Sequence, residues 1–175
     1  EQDSSVGVAV PYLSYAATEQ NLGVLFSSSK EIHKFAEKFM QENKEKVVFA
    51  DNIISACISF RRSLFNVIGG FDFWFGMAMA DDTDWSLRAN IAGLKIAVVG
   101  SSFVYHIGNA TFATMPEITS AAIDSNHPKF MLKWNLRGNE NPTGRYYSFR
   151  EIIDNNIYLR KKHYFPTKMA EFNLL

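Results

Sequence analysis

The stretch Asp81-Asp82-Thr83-Asp84-Trp85-Ser86-Leu87-Arg88 continues through Ala89-Asn90-Ile91-Ala92 to Gly93, and Lys95-Ile96-Ala97-Val98-Val99 follows. Acids at its start and a glycine past its end predict a helix over 82–92, because carboxylates complement the free N–H groups of a first turn and glycine accepts the left-handed backbone that stops a helix. The apolar run after it reads as a buried strand. A helix feeding directly into a buried strand is the unit from which α/β sheets are built.

The flanking sequence extends the same alternation. Val6-Gly7-Val8-Ala9-Val10 reads as a short buried strand stopped by Pro11, and residues 11–29 are loop-like. Ser28 and Glu31 have capping-box spacing, and Ile32, Phe35, Ala36, Phe39 and Met40 then fall on one helical face, which predicts a helix over 30–43. Strands are expected at 47–50, 53–60, 95–99 and 103–107, with a short helix over 61–68 ended by Gly69-Gly70. From Met115 a helix interrupted at Pro128 should reach Trp134. Gly138, Pro142 and Gly144 mark 135–147 as a linker, and a terminal helix near 148–162 would display Arg150, Arg160, Lys161 and Lys162. The expected division is 1–134 as an α/β sheet packed by helices and 135–175 as a linker and basic tail.

With 175 residues, 47% of them hydrophobic, the chain can bury a sizeable core, and 21% charged residues exclude a disordered chain. Eighteen basic and eighteen acidic side chains balance, which argues against a dedicated nucleic-acid binder. The balance is uneven: 11 basic and 14 acidic residues up to 134, then 7 and 4. The basic tail reads either as a solvated helix face or as a contact for anionic lipid, nucleic acid or a partner. Cys57 is the sole cysteine, so a reducing cytoplasm is the simplest setting. No apolar run reaches the roughly 18 residues of a bilayer span, and a chain starting at Glu1 without Met reads as a piece of something longer.

Three carboxylates in four residues repel one another, so Asp81, Asp82 and Asp84 need an explanation. One reading is an acidic helix start with an Asp84–Arg88 ion pair one turn apart. The other is a general base held at the helix start, suited to activating a hydroxyl. His106, at the end of an expected strand, reads either as structural or as a ligand for a divalent cation. His33, His127 and His163 have no zinc-ligand spacing, and Cys57 reads as a small packed hydrophobe.

The ordered set Ile54–Arg62, Ile68-Gly69-Gly70-Phe71-Asp72, Ala80–Arg88, Ala92-Gly93 and Val104-Tyr105-His106 resembles the second half of a family 2 glycosyltransferase. Phe130, Lys133 and Trp134 are similar to the segment that closes such domains, and Val6–Gln20 resembles the one after the metal-binding strand. The likeness covers about 6–134 and implies a GT-A fold, incomplete on its amino-terminal side.

It also implies roles. Asp82 would be the general base of an inverting transfer, and Asp81 would position it or bind acceptor hydroxyls. Trp85, Arg88 and Asp84 would order the helix and the acceptor side. Ala56, Cys57, Gly69, Gly70, Phe71 and Asp72 would line or underlie the donor-sugar pocket. His106 would join a Mn²⁺ or Mg²⁺ ion on the diphosphate of a nucleotide-sugar donor. The acceptor would be a carbohydrate or other hydroxyl, and localisation cytoplasmic, with the tail giving peripheral membrane contact. The family's strand-end DxD has no counterpart: Asp82-Thr83-Asp84 has the spelling, but a helix follows it, and Phe73 stands where Glu is usual. The resemblance therefore implies an acceptor-side half whose nucleotide-binding half is missing or on a partner chain. The alternative is a non-catalytic module that binds a glycan or a partner. A metal-dependent phosphohydrolase using Asp81, Asp82 and Asp84 is a third reading, disfavoured because such sites gather acids from several strand ends.

Overall fold

The computed structural model describes residues 3–76, 80–108, 110–134, 136 and 149–156. Its strands are β1 (Val6–Leu13), β2 (Val47–Ala50), β3 (Ser59–Phe60) and β4 (Lys95–Val104). They form one mixed sheet in the order β2-β4-β1-β3, parallel between β1 and β4 and antiparallel at both edges. The helices are α1 (Ser29–Glu42), α2 (Phe65–Ile68), α3 (Asp81–Ile91), α4 (Ala110–Ala113), α5 (Pro116–Lys133) and α6 (Phe149–Asn156). The chain is thus α/β, with a four-stranded sheet flanked by helices. Among the described residues no helix is long and apolar enough to cross a membrane.

α1 forms where the periodicity places it. Ser28 accepts from the Glu31 N–H at 3.3 Å, and Glu31 reaches back to the Ser27 N–H at 2.9 Å, a capping box displaced by one residue. Its apolar stripe meets the sheet through aromatic rings: Phe35 to Phe103 at 5.2 Å and Phe39 to Tyr12 at 5.4 Å between centroids.

α3 lies between two apolar cores. Trp85 and Ala89 pack with Val8, Val10, Tyr12, Ile96 and Val98 of the sheet. Leu87 and Ile91 pack with Phe75, Phe130, Trp134, Ile152 and Ile153. A helix covered on both sides has no broad polar face, and α3 is buried continuously from Asp84 to Ala89.

Four expectations are corrected. Pro11 does not end β1, which runs to Leu13; its missing N–H sits at a register shift in the β1–β4 ladder, where a ladder bond is lost anyway. The strands expected at 95–99 and 103–107 are one strand, β4, ending at Val104. Pro11 pairs with Val99 and Tyr12 with Phe103, so residues 100–102 bulge out. Gly100 is required there, because a Cβ would come 2.3 Å from the Asn43 carbonyl oxygen. The strand expected over 53–60 shrinks to Ser59–Phe60. The backbone N–H groups of Ile53, Ile54 and Ser55 bond the side chains of Ser86, Gln20 and Asp82, and so are not available to a ladder.

Pro128 does not interrupt α5. Tertiary contacts hold the helix on both sides of it: Asn126 bonds the Phe75 carbonyl at 2.7 Å, and Phe130, Lys133 and Trp134 are anchored in or beside the second core. The expected linker over 135–147 and the end of the terminal helix, with Arg160, Lys161 and Lys162, lie outside the described residues, apart from Leu136.

Candidate active site

α3 starts abruptly. Ala80 is its N-cap, in left-handed backbone with φ 73° and no side-chain hydrogen bond. Asp82 does part of the capping. Its Oδ1 accepts the Thr83 N–H at 2.8 Å, and the Ser55 N–H also donates to its carboxylate. Among the described residues no cation compensates it. Burial, and then the neighbouring Asp81 charge, push its pKa from the ordinary 3.8 up to about 6, against the pull of those N–H groups.

One turn on, the chemistry is the reverse. Asp84 is completely buried and accepts from Arg88 Nε at 2.9 Å, Lys133 Nζ at 2.8 Å and Trp134 Nε1 at 3.0 Å. Lys133 Nζ also reaches Asp72 Oδ2 at 2.6 Å, while Asp72 Oδ1 accepts the Trp74 N–H at 3.0 Å. Two acids and two cations thus share one buried network, balanced in charge. This is how buried charges are normally tolerated.

The network holds the glycine turn. Arg88 donates Nη1 to the Ile68 carbonyl and Nη2 to the Gly70 carbonyl at 2.8 Å, and between them Trp85 Nε1 donates to the Gly69 carbonyl at 3.2 Å. Three consecutive carbonyls are therefore fixed by two side chains of α3. Gly69 has φ 72° and ψ −175°, a region open only to glycine. Phe71 packs over Trp85 at 5.9 Å. The turn Phe73–Phe75 that follows is pinned by Asp72 and by Asn126.

The structure thus brings Asp82 together with Ser55, just ahead of the exposed Ala56 and of Cys57, which is exposed and not the packed hydrophobe expected, and brings Trp85 and Arg88 together with Ile68, Gly69 and Gly70. Asp72 and Asp84 are fully buried with both oxygens bonded.

His106 follows β4. The fully buried Ser14 clamps its backbone, accepting from the His106 N–H at 2.8 Å and donating to the His106 carbonyl at 2.9 Å. His106 Nδ1 lies 2.8 Å from the Tyr15 carbonyl. A carbonyl only accepts, so Nδ1 carries the proton, and in the neutral ring the lone pair is on Nε2. A backbone carbonyl on the second nitrogen is the usual support of a metal-ligating histidine. Among the described residues no group of three His, Cys, Asp or Glu side chains gathers as a metal site, so His106 would be one ligand and not a site by itself.

Sequence reasoning missed Gln20 and Ser14. Gln20 is fully buried in the loop-like stretch, accepting the Ile54 N–H at 2.7 Å and donating to the Pro11 carbonyl at 3.2 Å. Nothing in its neighbours signals burial. Lys133 and Trp134 were visible as a motif, but their bonds to acids 61 and 50 residues away were not.

The chain matches no protein-family model, no curated protein and no solved structure.

Proposed function

We propose that the chain is the acceptor-side half of a GT-A-like, inverting glycosyltransferase that uses a nucleotide-sugar donor, and that Asp82 removes the proton from the acceptor hydroxyl. The observation that carries this is the contrast within one turn of α3. Asp84 is fully compensated, whereas Asp82, half-buried beside Asp81, has no cation among the described residues and is pushed up to about 6. A carboxylate with a pKa near neutrality is a better proton acceptor than an ordinary one and is still ionised at pH 7. The network of Asp72, Asp84, Arg88 and Lys133 supports the wall beside it, holding the Ile68–Gly70 turn that the resemblance places under the donor sugar.

The fit to a divalent cation rests on His106 alone, through Nε2. A Mn²⁺ or Mg²⁺ ion would neutralise the charge of the leaving diphosphate. The other ligands, and the nucleotide-binding half, would come from outside these residues.

A specific observation favours the second reading, a non-catalytic binding module. Asp82 already bonds the N–H groups of Thr83 and Ser55, which ties the 53–55 segment to α3 without any chemistry. The two readings separate in one experiment. In the chain joined to its nucleotide-binding half, Asp82→Asn is expected to lower turnover by at least about a hundredfold while donor binding holds. Near-normal turnover leaves Asp82 as a backbone tie and refutes the base.

A further inference from the structure

The stretch 52–71 contains no acidic residue, and its only charges are Arg61 and Arg62. Both are exposed at the start of the turn Arg62–Leu64, next to β3 at the edge of the sheet. Among the described residues neither guanidinium makes an ion pair or a hydrogen bond. The same turn carries Phe65 and Val67, 47% and 41% exposed. Phe65 is not a loose side chain. Its ring meets Phe60 edge-on at 5.1 Å, and a Cβ on Gly70 would come within 3.2 Å of it, so its inner side is packed while its outer side is presented.

We propose that this turn, Arg61 to Val67, docks on an anionic lipid surface. Among the described residues no acid neutralises the arginines, and a guanidinium binds phosphate oxygens in a fork while being only weakly hydrated. Phe65 and Val67 supply the apolar contact that charge alone lacks, and stable interfacial binding needs two such signals together. A protein partner fits less well: these few side chains fall far short of the roughly 800 Å² per partner of a specific protein interface. A phosphate-bearing surface needs no such area. The inference stands on this patch and does not depend on the role of Asp82.

The test is co-sedimentation of the full 175-residue chain with vesicles of phosphatidylcholine, with and without about 30% phosphatidylserine, an anionic surface as on a cytoplasmic leaflet. Binding is expected only to the anionic vesicles, and it should be lost at roughly 0.5 M salt, where the Debye length is only a few ångströms. Arg61→Gln with Arg62→Gln should lower the partition coefficient by about 25-fold, about fivefold for each arginine near the surface. Val67→Ser should weaken it further without changing the salt dependence. Both arginines are exposed and, among the described residues, unpaired, so the double variant keeps its fold, which an unchanged melting temperature verifies. Wild-type binding by the double variant overturns the proposal and assigns the binding to the basic segment after 134. Absence of wild-type binding to anionic vesicles, or retention on an acidic polypeptide or RNA with none on vesicles, overturns it equally.

Discussion

Asp82 and Asp84 are two residues apart on one helix and live in opposite electrostatic worlds. Asp84 faces the second core side, where Arg88, Lys133 and Trp134 satisfy it completely. Asp82 sits at the rim of the same helix with the Thr83 and Ser55 N–H groups, an acidic neighbour and, among the described residues, no cation. A buried charge is tolerated when it is paired, and costs stability when it is not. The first carboxylate therefore builds the fold. The second works against it, and that cost is what the proposed general base rests on.

The hardest way to break the comparison is to remove the network. Lys133→Met removes from the core the cation that Asp72 and Asp84 share. Losing one partner of a buried pair typically costs about 3–5 kcal/mol, so urea unfolding should show a loss of that order with an unchanged slope. Adding Asp72→Asn to Lys133→Met removes one of the two buried negative charges that Lys133 meets and should recover part of the loss. If Lys133→Met costs less than about 1 kcal/mol, the range of a surface pair, the network is not a truss and the contrast fails.

Gly69→Ala tests what the network holds. The backbone at φ 72° and ψ −175° lies outside what alanine adopts, and a strained position of this kind costs about 1–3 kcal/mol. Unfolding should register that loss. An unaltered midpoint would mean that the three carbonyls of Ile68, Gly69 and Gly70 relax freely, with no rigid wall beside Asp82.

Asp82→Asn should act in the other direction. The folded pKa of Asp82 is about 6 and the ordinary value 3.8, so between about pH 4 and 6 the native state binds more protons than the unfolded state and stability falls as pH rises. Above that window the whole penalty is present. Two units correspond to about 3 kcal/mol, and partial exposure to solvent reduces this to about 1–2 kcal/mol. The asparagine variant should therefore be more stable than wild type by that amount at pH 7 and equal to it below about pH 4. A variant that is destabilised at pH 7 would show Asp82 to be a cap after all.

Much of this was legible in the sequence, for reasons of range. α1 was readable because its cap and its apolar stripe are local, and β2 was placed to the residue. The Asp84–Arg88 pair was readable because it spans one helical turn. What was not readable depends on distant side chains: Gln20 and Ser86 taking the N–H groups that would have made 53–55 a strand, or Lys133 crossing to Asp72. The acid cluster itself was visible. Which acid is compensated and which is not was invisible, because the compensating lysine lies far along the chain.

The smallest expected effect sharpens the contrast from outside the site. Asp3 is also a carboxylate bonded to backbone and side-chain donors, but it is exposed. The Ser5 hydroxyl, the Ser5 N–H and Lys95 hold its pKa down, at about 2. Hydrogen bonds and a cation thus move an acid one way where water covers it, and burial beside another acid moves Asp82 the other way despite similar bonds. Carboxyl-carbon NMR titration of the folded chain should give midpoints near 2 for Asp3 and near 6 for Asp82. Asp3 favours the native state above its ordinary range and loses that contribution as pH falls toward 2, the reverse of Asp82. Because Asp3 is open to solvent and screened by salt, Asp3→Asn should leave the melting temperature at pH 7 almost unchanged. If both carboxyls titrate near 4, hydrogen bonding and burial cancel everywhere on this protein, and Asp82 loses the property that sets it apart from an ordinary surface acid.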